Sequence, residues 1–136
     1  RAGGARPPVA TLARVRLLAI ALGGAIGALL RYGLSGWVHR LVGERLPWGT
    51  LAVNVAGSFA LGLVVAATLT HAGGDAWGRQ FWAIGVIGAF TTYSTFSYET
   101  IAMLQAGDWT GGVLNVTLNL ALGLAAVLAG LRLGQM

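Results

Sequence analysis

Gly85-Val86-Ile87-Gly88-Ala89-Phe90-Thr91-Thr92-Tyr93-Ser94-Thr95-Phe96-Ser97 decides the fold of the chain around it. Five hydroxyl residues and two aromatics interleave between Thr91 and Ser97, within a run that carries no charge from Gln80 to Tyr98. Thr and Ser hydroxyls bond backbone carbonyls and bend helices, and Gly88 weakens the same turn. Two outcomes are open. A continuous helix would absorb the hydroxyls internally. A broken one would free carbonyl oxygens, which apolar surroundings tolerate only where protein or a cavity satisfies them, and such carbonyls can hold a cation such as Na⁺. Tyr93 and Phe96 are three apart and share a helix face, either for packing or to offer the positive edges of their rings.

Outward from this stretch the chain is apolar in blocks. Of its 136 residues, 56% are hydrophobic and 10% charged, against about 25% charged in a soluble domain. Spans are expected at about 17–38, 48–69, 80–103 and 109–131, each close to the ~20 residues a helix needs to cross ~30 Å of hydrocarbon. Trp37, Trp48, Trp77, Trp82 and Trp109 fall near span ends, as an interfacial belt requires. Residues 1–14, with Pro7, Pro8 and three arginines, are expected to be a basic flexible tail ahead of a single membrane domain, 15–136. No small-residue cleavage site clearly follows a short apolar core there.

The net charge of +5 comes from arginine alone. The arginines are scattered at the ends of apolar runs, so lipid headgroups are the expected partner and nucleic acid is not. Four spans put both termini on one side. Arg1, Arg6, Arg14, Arg16, Arg79 and Arg132 lie on that side and Arg40 and Arg45 on the other, which favours termini in the cytoplasm. Cysteine is absent, so disulfides and thiolate metal sites are excluded. Glycines such as Gly23, Gly27, Gly57, Gly62 and Gly85 lie inside the spans, where they permit close helix contact. His39 and His71 are expected in loops, solvated and without metal.

Other polar residues also lie within spans. Asn54 is followed by Gly57 and Ser58; Asn115 and Asn119 are one turn apart, with Gly123 a turn further. Each amide either bonds a neighbouring helix or lines a pore. Arg31 either snorkels to the interface or faces an anion vestibule, and Glu99 carries the same ambiguity.

Three segments taken together resemble a known family: Gly23-Gly24-Ala25-Ile26-Gly27-Ala28-Leu29-Leu30-Arg31-Tyr32, Pro47-Trp48-Gly49-Thr50-Leu51-Ala52-Val53-Asn54, and Thr91-Thr92-Tyr93-Ser94-Thr95-Phe96-Ser97. In this order and spacing they are similar to the Fluc (CrcB) family of fluoride channels, over about Leu17 to Leu131. The resemblance implies an all-α membrane protein with four transmembrane helices per subunit and the third helix broken at mid-membrane. It implies an antiparallel dual-topology dimer, of two identical copies or of paired homologues, with two fluoride pores. One structural Na⁺ would be held at the dimer centre by the Gly88 and Thr91 carbonyls of both subunits. Asn54 would line the pore as a donor, and Tyr93 and Phe96 occupy the positions of two pore phenylalanines. Ser94, Thr95, Asn115 and Asn119 would lie along the path with Gly123, and Arg31 and Glu99 in its vestibule.

The chain departs from the family pattern at Tyr93, which adds a hydroxyl, and at Gly123, which offers no side-chain donor. The expected function is passive export of cytoplasmic fluoride across the cell's plasma or inner membrane. Alternatives are a small multidrug-type transporter, which needs a first-span carboxylate that 17–38 lacks, and a non-transporting membrane subunit. No nucleophile–base pair points to an enzyme.

Overall fold

The computed structural model describes residues 9–70, 78 and 80–136, and among these every regular element is helical. His71, Trp77 and Arg79 lie outside the described residues. The elements are α1 (Val9–Val42), α2 (Trp48–Thr70), α3 (Gln80–Ile87, wound as a π-helix), α4 (Gly88–Phe90), α5 (Tyr93–Gln105) and α6 (Trp109–Gly134). Three of them are long and apolar enough to cross a membrane, over Ala10–Val42, Trp48–Thr68 and Trp109–Gly134.

Helix α1 extends past both expected ends of the first span. Val9 to Arg14, read above as tail, are helical: Ala10, Leu12 and Ala13 favour helix, and no Gly or Pro follows Pro8 until Gly23. At the other end the helix runs on to Val42 because nothing stops it before Gly43. There φ is +89°, and the Gly43 N–H donates to the His39 carbonyl at 2.9 Å, a left-handed glycine cap. His39 is therefore in the last helical turn and half-buried, not in a solvated loop. Pro47 heads α2, its carbonyl accepting from the Leu51 N–H at 3.0 Å. Asp108 caps α6 through the Gly111 N–H at 2.8 Å.

Helix α2 is the centre, packed against α1 on one side and α6 on the other, with Val53 and Thr50 fully buried. Small residues set the spacing. A Cβ on Gly23 would lie 2.7 Å from the Phe81 carbonyl oxygen and 3.0 Å from Gly85 Cα, where α1 meets α3. A Cβ on Gly62 would overlap the Val127 carbonyl oxygen, and one on Gly130 the Phe59 carbonyl oxygen, where α2 meets α6. Backbone approach of this kind is how helices associate in lipid, which supplies no hydrophobic force between them. Leucines on the outer faces of α1 and α6 are correspondingly exposed, among them Leu17, Leu29, Leu124 and Leu128.

The segment expected as the third span is interrupted. Thr91 and Thr92 are both extended, with φ/ψ of −78°/157° and −147°/109°, so α4 ends and α5 begins anew. Of the two outcomes left open by the sequence, the break is the one observed.

Candidate functional site

A continuous helix would bond the Thr92 N–H to the Gly88 carbonyl and the Thr95 N–H to the Thr91 carbonyl. Both donors are diverted here. The Thr92 N–H donates to Asn54 Oδ1 at 2.8 Å, and the Thr95 N–H donates to Thr92 Oγ1 at 3.2 Å, capping α5. The Gly88 and Thr91 carbonyls thus lose the partners a helix would give them. By contrast the Ile87 carbonyl keeps its helical partner, the Thr91 N–H at 3.1 Å, and gains the Thr91 hydroxyl at 3.2 Å, so α4 closes firmly before the chain breaks.

Asn54 holds the break from α2. Besides accepting from Thr92, its amide donates to the Thr92 carbonyl at 3.2 Å and to Asn119 Oδ1 at 3.0 Å. Asn119 in turn donates to the Asn115 backbone and side-chain oxygens at 3.0 and 2.9 Å. Asn115 donates to Thr100 Oγ1 at 2.9 Å, and Thr100 to the Phe96 carbonyl at 2.8 Å. The network leaves the break, crosses α2 and α6 and returns to α5. Asn115 is buried, and a buried amide without partners would cost about 1–3 kcal/mol. Both hydrogens of the Asn54 amide and both of Asn119 are engaged within the protein.

Most of the expected site residues fall into three adjoining spaces. Asn54, Gly88, Thr91, Tyr93, Phe96 and Asn119 line one groove of about 300 Å³. Its open side shows in Tyr93, 81% exposed. The Tyr93 and Phe96 rings sit 5.7 Å apart at 49°. Arg31 and Thr95 lie elsewhere, in a cavity of about 380 Å³ that they share with Ser35, His39, Thr50 and Thr92. Glu99 lines a third space of about 410 Å³ with His39, Arg45 and Tyr98. Ser94 is exposed on the first turn of α5. Asn115 lines none of the three; it is buried and tied to Thr100.

Four participants were not singled out from the sequence. Thr92 caps α5 and borders both the groove and the second cavity. Thr50 donates to Glu99 Oε1 at 2.8 Å, and Thr100 links Asn115 to α5. Ser58 Oγ lies 3.7 Å from where a Gly123 Cβ would stand, so α2 supplies the hydroxyl that α6 lacks there. The signal for Thr92 and Thr50 was present, in the hydroxyl run and in the Pro47-to-Asn54 segment, but their partners lie in other helices.

The open donors cluster at the start of α5. The Thr95 hydroxyl accepts from Thr92 at 2.8 Å, which leaves its own hydrogen available. The N-terminus of α5 adds the positive end of a helix dipole on the same side. The arrangement therefore joins stripped carbonyls, suited to a cation, with donors and ring edges, suited to a small anion.

The CrcB-like protein family model, described as Camphor Resistance (CrcB), matches residues 18–131. A Thermus thermophilus protein named "Fluoride-specific ion channel FluC" is 49% identical over 120 residues, 88% of this chain and 93% of the relative. A Geobacter sulfurreducens protein of the same name is 46% identical over 115 residues, 85% of this chain and 93% of its own. One from Shewanella baltica is 46% identical over 118 residues, 86% and 94% respectively. With a match this long, on a chain whose broken helix is clamped by Asn54, this protein belongs to the CrcB-like family, a family of ion channels.

Proposed function

We propose that this chain is the subunit of a passive fluoride-selective channel that releases fluoride from the cytoplasm, across the plasma or inner membrane, down its electrochemical gradient. The relatives' shared name supplies the ion. The observation that carries the reading is the interruption at Thr91–Thr92, which puts open donors and stripped carbonyls together in an otherwise apolar helix. Fluoride is small and strongly hydrated, so a path must replace its water with donors. The Ser94 and Thr95 hydroxyls and the ring edges of Tyr93 and Phe96 are free to do so. Asn54, Asn115 and Asn119 hold these groups in place and meet the ion by exchanging bonds they already make. Hydrogen fluoride that enters an acid-exposed cell dissociates inside, and a passive path suffices to empty it.

The groove opens at Gly88 and Tyr93 onto the surface of the chain. A second copy inserted antiparallel, or a paired homologue, closes it in this reading and gives two paths per dimer. The Gly88 and Thr91 carbonyls fit a hard cation. Together with their counterparts in the second copy they would hold a Na⁺, which when bound supplies a fixed charge and a tie between subunits. Arg31 and Glu99 then flank the mouth.

Purified protein reconstituted in liposomes tests this directly. Fluoride-loaded vesicles should empty, and chloride-loaded ones should retain their anion, as read by ion-selective electrodes. Equal rates for both anions, or no efflux of either, overturns the channel reading.

A further inference from the structure

The three spaces are in series, and each shares a lining residue with the next. Thr92 stands between the groove and the second cavity; His39 stands between the second cavity and the third. His39 is held from two sides: its helix ends there under the Gly43 cap, and a Cβ on Gly49 would meet its Cδ2 at 2.9 Å, so the ring rests on α2. Two buried side-chain atoms bordering the third space lack any hydrogen-bond partner, His39 Nδ1 and Glu99 Oε2. One is a potential donor and the other an acceptor. A buried polar atom without a partner is costly, and here each is of the kind the other needs.

We propose that His39 is a charge-compensating residue at the mouth of the ion path, its imidazolium offsetting the Glu99 carboxylate so that an anion can pass. This rests on the channel reading. A carboxylate beside the passage repels an anion, and Thr50 engages only one of its oxygens. The charged and titratable groups around His39 are Arg31, Tyr32 and the solvent-exposed Arg40 on its own helix, Glu44 and Arg45 in the following loop, and Tyr98 and Glu99 on α5; α2 presents none. Glu44 and Arg45 are exposed neighbours of opposite sign, so solvent and each other leave Glu99 uncompensated by them. A protonated imidazole supplies the compensation and a neutral one does not, so lowering the pH favours passage, and acid is also the condition under which fluoride accumulates in a cell.

The experiment is fluoride efflux from liposomes at pH 6 and pH 8, less the leak of protein-free vesicles at each pH. The wild type should release fluoride about fivefold or more faster at pH 6. His39→Gln should be slow at both pH values, and His39→Arg fast at both. Glu99→Gln should flatten the profile as well, because no carboxylate remains to offset. A merely structural His39 would scale both rates of His39→Gln together and leave the wild-type step in place, and that result overturns the proposal alone. Wild-type efflux without a step does the same. No wild-type efflux at either pH overturns the channel reading and this inference with it.

Discussion

Helix α6 meets α2 by opposite means along its length. Around Gly130 the contact is bare backbone: the would-be Cβ overlaps the Phe59 carbonyl oxygen and lies 3.0 Å from the Leu63 nitrogen. Around Asn119 the contact is an amide bridge that continues through Asn54 to the Thr91–Thr92 break. The first end only fastens two helices. The second fastens them while also supplying partners to a third helix that has lost its own. A pair of helices needs only the first device to stand; the second is required because α3 to α5 is interrupted.

That difference can be broken or sharpened by substitution. Gly130→Val should be the most damaging, at about 3 kcal/mol or more, because rigid backbone must move to admit it. Thermal unfolding in detergent should show little folded protein. Asn54→Leu should cost about 2–3 kcal/mol, since it strands the Thr92 N–H and Asn119 Oδ1, and liposome efflux should be lost with it. Stability equal to wild type would show that the bridge does not hold the break. Phe96→Ile should cost about 1 kcal/mol, as an apolar exchange at a half-buried position, yet abolish fluoride efflux; unchanged efflux would remove Phe96 from the path. Gly123→Ser should be almost silent, within about 0.5 kcal/mol, because its Cβ would meet only Ser58 Oγ at 3.7 Å. Two glycines seven residues apart on one helix would then differ by most of the range a single substitution covers.

Much of this was legible in the sequence and some was not, for identifiable reasons. The apolar blocks marked α2 and α6 to within a few residues, since hydropathy is a local property. The hydroxyl run located the break, although it could not say that the helix stops at Thr91–Thr92. The diverted N–H groups decide that, and they depend on Asn54, thirty-eight residues away. The π winding of Gln80–Ile87 left no trace in composition. His39 was misplaced because the tryptophan at position 37 suggested a span end, whereas the cap at Gly43 carries the helix further. The pairing of Thr50 with Glu99 and of Asn115 with Thr100 depends on how helices are rotated about their axes, which residue spacing within one helix does not encode.

The Thr92 N–H lies in no helix, yet it is donated to a side chain on a central one. In deuterium exchange it should behave like an amide deep inside a helix. Its neighbours Tyr93 and Ser94, first in α5, should exchange quickly. A kink with a slow amide at its apex is a fixed joint rather than a hinge, so conduction through this protein should not require the α3-to-α5 segment to flex.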